Sequence, residues 1–266
     1  MIPVFWLDLR RSRSLILWVG LVAVLYAGVM VAFYPSVLAN AEEFDRMVEI
    51  YPKELLAAFG ITDGGISDPG TYVNSYIFQF LWPVVASVAA IALATRPAAD
   101  ATSGFLDLPL SSRLPRLDYL AVTIGVQVVS LAMLSALTVA AIVAVDLLIE
   151  PDFDTGRIAL AGLHLFAMAI AIAGATTALA VALLDRGRAA GLMAGILMIM
   201  YLLNVVAGLA PEFGDLGRLS VFYYFDLQPV IDDGVFPAGE SLLYLVVAVA
   251  GWVSAAAIFR RRDLAT

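Results

Sequence analysis

The sequence predicts an all-α polytopic membrane protein with six transmembrane helices, and three observations carry that reading. Hydrophobic residues make up 62% of the chain and charged ones only 14%, with a mean hydropathy of +0.93, whereas soluble domains hold roughly 45–50% apolar and about 25% charged residues. Apolar runs recur along the chain, each near or above the roughly 20 residues that a helix needs to cross a hydrocarbon core. The basic residues gather in alternate connections, as they do on the cytoplasmic side of membrane proteins. The absence of cysteine excludes disulfides and thiolate chemistry within the chain. A single histidine, His164, argues against an all-protein zinc site.

Residues 1–13 mix Trp6 and other apolar positions with Arg10, Arg11 and Arg13. The aromatic part precedes the basic cluster, the reverse of a secretory signal, and no convincing cleavage site follows. The segment is therefore expected to be an amphipathic helix lying at the membrane interface. The first span is expected at 14–33, ended by Tyr34-Pro35. Residues 37–59 carry five acids among apolar positions and are broken by Pro52, which suggests two short amphipathic helices at the outer surface. The second span is placed at 76–94, with a proline kink at Pro83.

A polar loop, Thr95 to Asp118, then interrupts the apolar sequence with three arginines, three aspartates and three prolines. The third span, 119–149, is longer than a perpendicular crossing requires and should tilt or project. The fourth is expected at 158–184, the fifth at 189–210 and the sixth at 241–259, with a polar, aromatic loop between the last two.

Six spans put both termini on one side. That side holds eleven basic residues, including Arg96, Arg113, Arg116, Arg186, Arg188 and Arg260, against four opposite: Arg46, Lys53, Arg157 and Arg218. The bias makes the termini and the 95–118 loop cytoplasmic in a cell membrane. Seventeen of the 23 acids fall on the other side, so the net charge of −8 is an outer-surface property, read as a solvated acidic face.

The spans hold few ionisable groups of the kind an ion-driven carrier uses. Asp146 lies at the outer end of the third span and His164 about two turns into the fourth, where it reads as a packing or interfacial residue rather than a proton relay. Gln127 and Asn204 are midspan polar candidates for a transport pathway, with interhelical hydrogen bonding as the default. No G-x-x-x-x-G-K-[ST] phosphate loop is present, so any ATP is bound elsewhere. Gly191 and Gly195 in the fifth span and Gly251 in the sixth open small-residue spacings of four, suited to packing within the chain or to dimerisation.

The loop segment Gly104-Phe105-Leu106-Asp107-Leu108-Pro109-Leu110-Ser111-Ser112-Arg113 resembles the signature of ABC-2 type ABC-transporter permeases. Leu7 to Leu15 is similar to that family's elbow helix running into span one. Leu219 to Tyr224 and the ending Phe259 to Leu264 also resemble segments of such permeases. Asp100 stands where the family has Glu, Phe105 where it has Thr, and Asp118-Tyr119 where a basic residue opens span three. The resemblance runs over the whole chain, 1–266, as a single transmembrane domain.

The resemblance implies an export permease that dimerises, with itself or a sister chain, and pairs with two cytosolic ATPase subunits carrying ATP and Mg. The chain itself would be no enzyme, would hold no cofactor, and would contact membrane lipids but no nucleic acid. The 95–118 loop would carry a coupling helix over about 101–107. Asp100 would cap it, Gly104 would allow close approach, Phe105 and Leu106 would anchor it beside Asp107, and Arg113 would pair with acids or lipid phosphates. Different readings are a plain re-entry loop, a scaffold or sensor, an ATP-independent carrier, or an enzyme built on outer carboxylates such as Asp152/Asp154 or Asp232-Asp233.

Overall fold

The structure, a computed structural model, describes residues 2–48, 50–51, 68–102, 115–149 and 153–261. Those residues form helices and turns, with no strand among them. In chain order the elements are α1 (Ile2–Ala39), α2 (Ala41–Val48), α3 (Pro69–Val73), a π-helical segment π1 (Asn74–Leu81), α4 (Trp82–Ala94), α5 (Arg96–Thr102), α6 (Arg116–Ile149), α7 (Thr155–Leu183), α8 (Arg186–Leu209), a 3-10 turn (Pro211–Phe213), α9 (Gly214–Gly217), α10 (Gln228–Asp233) and α11 (Ala238–Arg261). Six helices are long and apolar enough to cross a membrane, which fits a multi-pass membrane protein.

Two expected breaks in α1 are absent. The N-terminal amphipathic stretch and the first span form one helix of 38 residues, about 57 Å at 1.5 Å per residue. The helix also runs through Pro35 to Ala39 instead of stopping at Tyr34-Pro35. Packing accounts for both. Ser12, Ile16, Gly20, Ala23, Ala27, Val31 and Tyr34 recur at helical spacing and are buried, and α1 lies against α6. At its far end the Tyr34 ring packs on Tyr72 and Phe153 at centroid distances of 5.0 and 5.3 Å. The opposite face, with Leu17, Trp18, Val22, Leu25 and Val29 exposed, would be an aggregation liability in water and suits lipid.

The expected disturbance at Pro83 takes a defined form. Proline cannot donate to the ladder and its ring crowds the carbonyl four residues back. The helix switches to π register over Asn74–Leu81, with the Trp82 N–H bonded to the Ile77 carbonyl, and regains α register with Pro83 in the first turn of α4. The first outer amphipathic helix corresponds to α2; the one expected after Pro52 lies outside the described residues.

The centre of the bundle is α7, which packs against α4, α5, α6, α8 and α11. Its approach to α11 is the closest. The carbonyl and Cα of Ala248 lie against Gly174, and the Gly174 backbone lies against Gly251, so that a Cβ on either glycine would collide with main chain. Tyr244, Ala248, Ala255 and Phe259 continue that buried stripe along α11. Asp154 starts α7 by accepting from the Gly156 and Arg157 N–H groups at 2.9 and 3.1 Å, and Asp185 starts α8 from the Arg188 N–H at 2.8 Å. Between them Leu184 takes a left-handed conformation, φ 49°. Asp146 accepts from the Phe153 N–H at 3.2 Å and so closes the α6–α7 turn.

Candidate functional site

Near the N-terminal end of α1, Asp8, Arg11 and Ser12 stand three and four residues apart and therefore share a face. On α5, Arg96 and Asp100 are four apart and do the same. The two faces meet with charges crossed. Arg11 grips Asp100 with both terminal guanidinium nitrogens, Nη2 to Oδ1 at 2.8 Å and Nη1 to Oδ2 at 3.2 Å. Arg96 Nη1 reaches Asp8 Oδ1 at 3.0 Å, the Asp8 carbonyl at 3.2 Å and Ser12 Oγ at 2.6 Å. The Tyr119 hydroxyl, from the first turn of α6, donates to Asp100 Oδ2 at 2.7 Å. Asp100 is 2% exposed and Ser12 fully buried. Bidentate, charge-assisted contacts of this kind are short and geometrically selective.

This cluster stands beside the end of α5 and the start of α6. Thr102 ends α5 and Arg116 begins α6, and both flanking helices are tied to α1 through Asp100, Arg96 and Tyr119. Asp100 is thus an interior residue of a helix over 96–102, with its carboxylate bound to Arg11 and Tyr119. It does not cap a helix beginning at 101, and the reason is that the ion pair and the helix phase both take its side chain inward. Gly104, Phe105, Leu106, Asp107 and Arg113 lie outside the described residues. Trp6, Arg10 and Arg13 sit on the outer side of α1, Trp6 57% exposed, while Arg11 turns inward.

The midspan candidates separate. Gln127 is buried, and its Oε1 accepts from Thr177 Oγ1 at 3.2 Å and from Trp252 Nε1 at 3.3 Å, joining α6 to α7 and α11. It is an interhelical bond of the default kind. Asn204 instead lines a cavity of about 1050 Å³ at the other end of the bundle, between α8, π1 and the 211–240 segment. Gly251 is spent on α7. Gly191 and Gly195 face open space: among the described residues nothing lies within 4 Å of where a Cβ would stand.

The wall of that cavity is held from below by His164. Its Nε2 is 3.0 Å from the Tyr224 carbonyl and its Nδ1 2.7 Å from Ser241 Oγ. A carbonyl only accepts, so Nε2 carries the proton and Nδ1 accepts from the serine hydroxyl. Phe225 stacks on the imidazole at 5.4 Å, and Gln79 Nε2 donates to the Phe225 carbonyl at 3.2 Å. The Tyr244 hydroxyl takes the Val221 carbonyl at 2.7 Å and the Tyr224 hydroxyl the Arg218 carbonyl at 3.1 Å. The histidine is a packing residue that sets this segment on α7.

Sequence reasoning missed Asp8, Ser12, Arg96 and Tyr119 as members of the charge cluster. The available signal was the crossed order of charges, acid then base on α1 and base then acid on α5. Among the described residues no three His, Asp or Glu side chains converge to hold a metal. No protein-family model matches the chain, and no curated protein matches it.

Proposed function

We propose that this chain is the transmembrane permease subunit of an ATP-binding-cassette exporter, moving its substrate across the cell membrane with ATP and Mg used by a separate subunit. The observation that carries the reading is the crossed pair Arg11–Asp100 and Arg96–Asp8. It fastens α5, which precedes residues 103–114, directly to the start of α1, and links α6, which follows them, through Tyr119 and Asp100. A partner that pushes on this segment would move α1, α5 and α6 together, because the short, crossed hydrogen bonds and the close packing around them join the three helices. In this reading the termini are cytoplasmic, residues 2–13 act as the elbow and 101–107 as the coupling segment. Phe105 and Leu106 enter a groove on each of two ATPase subunits, and a second permease chain completes the complex.

The test is co-purification from the native host in lipid nanodiscs, with wild-type chain and Phe105→Asp. The expected result is a P-loop ATPase in stoichiometric amount with the wild type, and its loss or loss of its stimulation with the variant. A chain that purifies alone and transports without ATP overturns the proposal in favour of an ATP-independent carrier.

A further inference from the structure

We infer that the cavity at the end of the bundle opposite the Arg11–Asp100 pair is a binding site for a bulky organic cation. Four carboxylates border it, Glu212, Asp215, Asp226 and Glu240, against one guanidinium, Arg218. Arg218 is already engaged: its Nη1 lies 3.3 Å from Asp215 Oδ1, and the Tyr223 side chain and then Asp215 raise its pKa further. The excess of negative charge is thus set around a concavity whose walls are aromatic, Tyr223 and Phe236 among them. A solvated acidic face needs neither concavity nor rings. Ring faces attract cations, most strongly where water is displaced, and pockets of roughly 300–1,000 Å³ are the size that encloses small-molecule ligands.

The walls are built to hold their shape. Tyr223 and Tyr224 meet edge to face at 5.3 Å and 83°, which turns their faces in perpendicular directions, as the sides of a cage. The Tyr223 ring lies over Gly217, where a Cβ would stand 2.9 Å from Cδ2, so a residue without a side chain is required there. Behind them the main chain at 221, 224 and 225 is pinned by Tyr244, His164 and Gln79. Because no three acids converge among the described residues, the carboxylates are spread around the rim and suit one diffuse charge better than a compact divalent ion. The ligand class that fits is a lipophilic monovalent cation, an ammonium or phosphonium with an apolar body.

The site belongs to this chain alone and stands or falls apart from any ATPase coupling. The experiment is equilibrium dialysis of tetraphenylphosphonium against the full chain in phosphatidylcholine nanodiscs, with empty nanodiscs as the blank. Tetraphenylborate, of the same shape and opposite charge, is the control. Saturable binding of the cation, none of the anion, and at least a tenfold loss in the Glu212→Gln, Asp226→Asn, Glu240→Gln triple variant is the result expected. Equal binding of both probes, or undiminished cation binding by the triple variant, overturns the inference. Should the triple variant not fold, Glu212→Lys, exposed at the rim, is expected to weaken cation binding at least threefold, and unchanged affinity there also overturns it.

Discussion

Arg11 and Asp100, 89 residues apart in sequence, meet as a bidentate ion pair with nitrogen–oxygen distances of 3.2 and 2.8 Å. The carboxylate is buried and the guanidinium partly exposed, its side chain 39% accessible. Removing either partner is therefore unequal. Asp100→Ala leaves Arg11 able to rehydrate, while Arg11→Ala leaves a charge buried beside Tyr119. Breaking a fully buried pair costs about 3–5 kcal/mol; with Arg11 partly solvated, Asp100→Ala is expected at roughly half that and Arg11→Ala above it. Thermal unfolding in detergent with a double-mutant cycle reads both values and their coupling.

Tyr119→Phe isolates the third contact. It deletes one hydrogen bond of 2.7 Å to Asp100 and keeps the ring that packs on Phe259 at 6.4 Å. The expected loss is about 1.5–3 kcal/mol, typical of a bond to a charged group. It should vanish in an Asp100→Ala background. A loss that persists there would mean that the hydroxyl acts through some other partner.

The spans were legible because a hydrocarbon-crossing helix needs a long apolar run and leaves little room for ambiguity. The sequence boundaries miss the starts of α7 and α8 by three residues, since Asp154 and Asp185 act as caps only when their carboxylates turn back onto the next N–H groups. The end of α1 was misread because Pro35 is a local signal, whereas the Tyr34–Tyr72–Phe153 ring contacts that keep the helix going come from distant segments. The crossed order of charges did not single out the cluster for the same reason: Arg11 and Arg96 read equally well as topology signals until the fold brings Asp100 and Asp8 beside them. The cavity could not be read at all, since its wall is held in place by a histidine 60 residues from the carbonyl it bonds.

His164→Leu removes the donor to the Tyr224 carbonyl and the acceptor for Ser241 while keeping an apolar filling. Two buried polar groups then lose their described partner, at about 1–3 kcal/mol each. The variant is expected to melt several degrees lower and to become sensitive to proteolysis within 218–237, with the α1–α6 contact unaffected. Limited proteolysis with mass mapping checks the location.

Gly251 and Gly191 share a spacing pattern and differ in surroundings. Gly251→Leu forces a side chain into the Gly174 backbone; overpacking costs about 1–3 kcal/mol or more where main chain must move. At Gly191 an added Cβ meets nothing within 4 Å among the described residues, so Gly191→Leu should leave monomer stability unchanged. If α8 forms the permease dimer proposed above, that same variant lowers the dimer fraction in native mass spectrometry from nanodiscs. Gly251→Leu should lower expression first.

The absence of cysteine makes membrane orientation directly measurable, because every introduced thiol is the only one present. Asp226 and Ser14 are suitable positions: Asp226 is exposed at the cavity rim, and Ser14 is exposed on α1 near the Arg11–Asp100 pair, at the opposite end of the bundle. The eleven-to-four distribution of basic residues predicts the Arg-rich end inside. An impermeant maleimide should therefore label Asp226→Cys in intact cells and reach Ser14→Cys only after lysis. The reverse pattern would put the aromatic, acidic cavity in the cytoplasm, on the side of ATP. Residues 103–114 would then lie on the outer side, beyond the reach of any cytosolic ATPase, and the permease reading would fail on topology alone.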